Sequence, residues 1–144
     1  MGYRSNVTAI FYVSTYIPKD NPKESLVDKA KALLDLWYAD LKETTLLKDQ
    51  WSPGCFSAVE RGYVFECEDV KWYDSYKDII DYNAMVKKFC NDFIDNEQLD
   101  GGSGLHHMFC YEFVRIGEEM EDIQQEFRGD VDYRLQVNRS VVVE

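Results

Sequence analysis

The chain has 144 residues, 45% hydrophobic and 15% aromatic, a composition that excludes a disordered chain and supplies enough apolar surface for one core without staples. Its 27 acidic residues against 16 basic ones give a formal net charge of −11, which argues against nonspecific attraction to nucleic acid or to an anionic membrane. No stretch has the ~18 apolar residues of a membrane span, and residues 1–6 lack the basic-then-apolar pattern of a signal peptide, so the expectation is a cytoplasmic protein that works away from the bilayer.

In chain order, Val7 to Val13 is a near-continuous β-branched and aromatic run, which predicts a central strand covered on both faces. Asn21-Pro22-Lys23-Glu24 has a capping side chain, a proline at the first helical position and a glutamate three residues after the cap, the pattern of a helix start. Leu26, Ala30, Leu33, Leu34, Trp37 and Leu41 then recur on one helical face. Asp49, Pro53 and Gly54 break that pattern. Cys55 to Val59 and Tyr63 to Cys67, joined by a turn at Arg61-Gly62, predict a hairpin whose second strand alternates apolar and polar residues.

Asp74 or Ser75 is positioned to cap a second helix, with Ile79, Tyr82, Val86, Phe89, Cys90 and Phe93 on its inner side and an end near Asn96. The glycine-rich stretch Asp100 to Gly104 predicts a mobile connector. Met108 to Ile116 is an aromatic strand, and Val131, Tyr133, Leu135 and Val137 alternate with polar residues in a final one. Strand, helix, hairpin, helix, strand, strand predicts an α+β domain over residues 1–144. The expected form is a single, mostly antiparallel sheet of four to five strands with both helices on one face, a ferredoxin-like βαββαβ arrangement plus an added C-terminal strand.

Four scattered cysteines without a C-x-x-C pair read as reduced, mostly buried thiols. His106, His107 and Cys110 combine metal-ligand types, but alternation along a strand would put His107 on the opposite face from the other two, so no metal site and no cofactor are expected. The glycine stretch lacks the Gly-Lys-Ser/Thr ending of a phosphate cradle. Glu118, Glu119, Glu121, Asp122, Glu126 and Asp130 do not match a calcium loop and read as a solvated acidic loop or helical turn. No nucleophile and base are singled out by spacing, so catalytic residues stay unassigned. Trp72, Tyr73 and Tyr76 sit at a strand-to-helix junction, where exposed rings would serve as anchors for a protein partner.

Several segments bear a likeness to known proteins: Met1-Gly2-Tyr3-Arg4-Ser5, Glu68 to Tyr76 with its Asp-Val-Lys-Trp-Tyr-Asp core, Phe113 to Glu119 with Asp122-Ile123 beyond it, and Asn138-Arg139-Ser140-Val141. In these the chain resembles a family of small proteins of tailed bacteriophages and prophages. The likeness does not extend to the first helix or to residues 98–107. It implies an origin in a phage-infected bacterial cytoplasm and not a reaction. The reading that follows is an acidic accessory protein that binds a host or phage protein, an inhibitor of host defence among the options. Trp72, Tyr73, Tyr76, Arg115, Glu118, Glu119 and Asp122 form the expected partner-binding set. The alternatives are a small metal- or nucleotide-dependent enzyme using the acids after Gly117 with Arg115 and Arg139 as anion clamps, and a DNA-mimicking nuclease inhibitor, against which the interspersed lysines and arginines argue.

Overall fold

The computed structural model describes residues 4–14, 24–42, 56–73, 75–119, 121–132 and 134–135. The elements run β1 (Ser5–Val13), α1 (Glu24–Lys42), β2 (Phe56–Val59), β3 (Gly62–Val70), α2 (Lys77–Phe89), β4 (Phe109–Gly117) and β5 (Ile123–Arg128). A π-helical turn over Cys90–Ile94 extends α2, and short 3-10 turns follow at Leu99–Gly102 and Leu105–Met108. The five strands form one sheet in the order β2-β3-β1-β4-β5, with every neighbouring pair antiparallel. Each β-α-β crossover therefore skips one strand: β3 fills the gap between β1 and β2, and β1 fills the gap between β3 and β4. This is the split βαβ arrangement expected from the order of elements, with β5 added at the β4 edge.

Strand alternation divides the interior into two layers. Val7, Ala9, Phe11 and Val13 of β1, Phe65 of β3, and Phe109, Tyr111 and Phe113 of β4 face the helices and join Leu26, Ala30 and Leu34 of α1 and Ile79, Tyr82 and Phe89 of α2 in the main core. Rings pack densely there: Phe11 lies 4.9 Å from both Trp37 and Tyr111, and meets Phe89 edge-on at 5.1 Å. The opposite face is a smaller cluster of Ile10, Tyr12, Val64 and Cys110. Central β1 is thus covered on both sides, as its unbroken apolar run predicts.

The turn between β2 and β3 is Glu60-Arg61, with Arg61 in the left-handed region at φ 65°, and not the predicted Arg61-Gly62. Gly62 is required elsewhere. It pairs with Tyr12 in the sheet, and a Cβ on it would sit 2.3 Å from the Phe11 carbonyl oxygen. Helix α2 begins after Tyr76 without a side-chain cap, so Ser75 does not play the capping role; Asp74, like residues 21–23, lies outside the described residues.

The largest departure from expectation is at the C-terminal end. The acidic stretch after Gly117 is not a solvated loop throughout, since Ile123–Arg128 within it is the edge strand β5. The alternating residues from Val131 onward are not the final strand as far as they are described. Gly129, at φ 84° and with the Phe109 carbonyl only 2.4 Å from where a Cβ would stand, turns the chain away from β5. Residues 130–132 and 134–135 then lie over the second face of the sheet, where Val131 and Leu135 cover Ile10, Tyr12, Val64 and Cys110. Their anchor is Glu112, a carboxylate buried on that face. It accepts hydrogen bonds from the Arg134 and Leu135 backbone amides at 2.9 and 2.8 Å and from the Tyr12 hydroxyl. Tyr12 in turn accepts from the Asp132 amide at 2.6 Å.

Candidate functional site

The predicted partner-binding residues gather at one end of the sheet, because Ser5 faces both Val70 and Gly117 in register. Their roles there differ. Trp72 is half-buried, 5.1 Å from Tyr82 and 5.8 Å from Phe113, and closes the end of the main core. Arg115 is held within the fold: its guanidinium donates two bonds to the Asp122 carboxylate at 2.9 and 3.0 Å, one to Ser5 Oγ at 3.0 Å and one to Gln124 at 3.1 Å. Such a fork-to-fork pair fixes geometry; here it ties the β4–β5 connection to the start of β1. Glu118 accepts from the Arg4 amide at 2.7 Å, and the Glu119 carbonyl accepts from the Asp122 amide at 3.1 Å, closing the turn. Tyr73 and Tyr76 meet edge-on at 5.1 Å, and Tyr76 remains 41% exposed, so this pair keeps an outward surface.

The histidine and glycine segments do not converge on a site. His106 and His107 lie in a 3-10 turn and not on a strand, with their rings 4.0 Å apart. Cys110 is on the second face of the sheet, donating to the Asp130 carbonyl at 3.3 Å. Among the described residues, no three of His, Cys, Asp and Glu are grouped so as to hold a metal ion. Cys67, Cys90 and Cys110 are buried free thiols. Burial raises the Cys90 thiol and pushes Cys110 up to about 12, the opposite of what activates a nucleophilic cysteine.

A feature the sequence reading did not assemble lies between the helices. Helices α1 and α2 flank an open trough of about 600 Å³. Its apolar lining is Leu33, Leu36, Trp37 and Leu41 from α1 with Ala84, Met85 and Phe93 from α2 and the turn after it. Leu36 is 65% exposed, the most open of the large apolar side chains among the described residues. The floor is rigid, because Trp37 packs against Phe11 and Phe89, each at 4.9 Å. The rim is charged: Asp40 on α1, and on the α2 side Lys77 paired with Asp81 at 2.7 Å and Lys88 with Asp92 at 2.8 Å. Tyr76 immediately precedes Lys77, and Ile80, 51% exposed, is on the same turn of α2. The sequence does carry a signal for this trough. Leu36 falls outside the apolar stripe that Leu26 to Leu41 define, so it widens the helix's apolar arc beyond what the core needs.

A second groove of about 440 Å³ runs between α2 and β5. It is polar at the mouth, where Arg128 pairs with Asp95 at 2.8 Å, and its floor holds Trp72 and Phe113.

No family model, curated protein or solved structure matches this chain. Among the described residues no helix is long and apolar enough to cross a membrane.

Proposed function

We propose that the chain is a phage-encoded accessory protein of the bacterial host's cytoplasm that acts by binding another protein, host or phage, a host defence factor being one such target. The observation that carries this reading is the trough between α1 and α2. Its open apolar floor and exposed Leu36 supply contact area of the kind that interfaces use, and its lining of aliphatic, aromatic and ion-paired side chains supplies grip, not a nucleophile. Tyr73 and Tyr76 extend this surface at the Lys77 end. Trp72 closes the end of the core, and Arg115, Asp122, Glu118 and Glu119 tie down the adjacent end of the sheet. Against DNA mimicry, lysines stand among the acids on the helix side, in the pairs Lys31–Asp35, Lys77–Asp81 and Lys88–Asp92. Against an anion clamp, Arg115 already grips Asp122.

A photo-crosslinking residue placed at Leu36, with a control at Ser57 on the far face of the sheet, tests the reading in infected-cell lysate. One identified protein captured from position 36 and not from 57 is expected. Leu36→Glu should weaken its binding at least tenfold, or ~1.4 kcal/mol. Equal capture from both positions, or none from position 36, refutes it.

A further inference from the structure

We infer that the trough's occupant is an amphipathic helix of the partner protein carrying lysine or arginine along its flanks; this rests on the protein-binding reading above and names the partner's chemistry. Three observations converge on it.

The first is shape and hydrogen bonding. The trough is walled by two helices, whose interior amides and carbonyls are already bonded along each helix. An extended segment laid on its apolar floor would bury its own main-chain polar groups without partners, whereas a helix brings them already satisfied. The α2 side of the trough runs from Lys77 to Phe93 and the α1 side from Leu33 to Leu41, about 24 and 12 Å at 1.5 Å per residue, so a bound helix meets both walls for about two turns and the longer one for about four. Ridges of a third helix fit grooves of this kind at interaxial distances of about 8–10 Å.

The second is the lining. Met85 and Leu36 are adaptable apolar contacts set around the fixed indole of Trp37, which suits anchors spaced at i, i+3 or i+4 and i+7.

The third is charge. The rim carries Asp40, Asp81 and Asp92 against Lys77 and Lys88, and Asp40 has no ion-pair partner among the described residues. The whole chain stands at −11. A field of that sign attracts a basic segment at long range and opposes a second copy of the same acidic chain.

The test uses the full chain and two synthetic helices of about sixteen residues, matched to the trough length, with the same apolar face but flanks of Lys/Arg in one and Glu in the other. Titrations followed by amide NMR should show the basic peptide binding at least tenfold more tightly, shifting Leu36, Ala84 and Met85, gaining helicity by circular dichroism and weakening as salt rises. Leu36→Glu, a change at an exposed position, should lower that affinity at least tenfold while leaving the melting temperature unchanged. Equal binding of the acidic peptide overturns the cationic assignment. A bound peptide that stays non-helical overturns the helix. Failure of both peptides, with specific crosslinking from position 36 intact, overturns the occupant and leaves the protein-binding reading standing. A concentration-dependent dimer that Leu36→Glu dissolves assigns the trough to a second copy and overturns the proposal.

Discussion

Glu112 illustrates how one residue decides where a segment goes. A carboxylate removed from water is tolerated only when its lone pairs are bonded, and here two consecutive backbone amides and a phenol supply the donors. Arg134 adds to the same anchor, with its guanidinium 5.2 Å above the Tyr12 ring and bonded to the Glu60 carbonyl at 2.8 Å. Glutamine at position 112 keeps the shape but turns one acceptor into a donor, so at least one of the three donors is left unpaired. Glu112→Gln is therefore expected to cost about 2–4 kcal/mol in urea unfolding, within the range for a broken buried charged network. Limited proteolysis should then cut beside Asp132 or Arg134 before it cuts within the strands and helices described above. A loss under about 0.5 kcal/mol, the size of an ordinary surface change, would show that the carboxylate is not the anchor.

At the scale of elements, what could be read from the sequence tracks how strongly each segment is buried. Strand β1 and helix α1 were legible because their apolar patterns answer to a core on the faces they present: Leu26, Ala30, Leu34 and Leu41 are all buried. The β2–β3 hairpin was legible apart from its turn, where the close approach of β1 reserves Gly62 for packing and leaves Arg61 to adopt the positive φ. Strand β5 was not legible. It is an edge strand with five of its six residues exposed, so its side chains answer to water on both faces and carry no clean alternation. The alternation from Val131 onward was real but misleading. It reports that one side of a segment is buried, and Val131 and Leu135 are indeed packed, yet it does not say whether the backbone pairs in a sheet or crosses over one. The trough between the helices was missed for a related reason: stripe counting assigns each apolar residue to the core, and only the arrangement of two helices shows that Leu36 is left over.

For the molecule as a whole, the dense aromatic interior makes a prediction about pH. Burial raises the phenols of Tyr12, Tyr63, Tyr82 and Tyr111 above their ordinary value of 10.0 and the thiols of Cys90 and Cys110 above 9.0, with Tyr63 and Cys110 pushed up to about 12. These groups hold their protons more tightly folded than unfolded. The unfolded chain thus binds fewer protons in this range, and stability must fall as pH rises. The stabilisation should be fully present below about 9 and drain away as pH rises, through about 12 for Tyr63 and Cys110 and higher still for Tyr12 and Tyr82, with tyrosinate absorbance appearing together with the loss of circular dichroism. Tyrosinate forming well before unfolding would mean that these rings reach water in the native state.

On the proposed reading, the face between α1 and α2 is the one this protein presents to its partner. Hydrogen exchange of the chain, alone and in complex with the protein captured through position 36, tests it most directly. Slowed exchange in residues 33–41 and 77–93, with the edge strands Phe56–Val59 and Ile123–Arg128 unchanged, is the predicted result. Slowing confined to β5, or to Val131, Asp132, Arg134 and Leu135 on the opposite face, would contradict it.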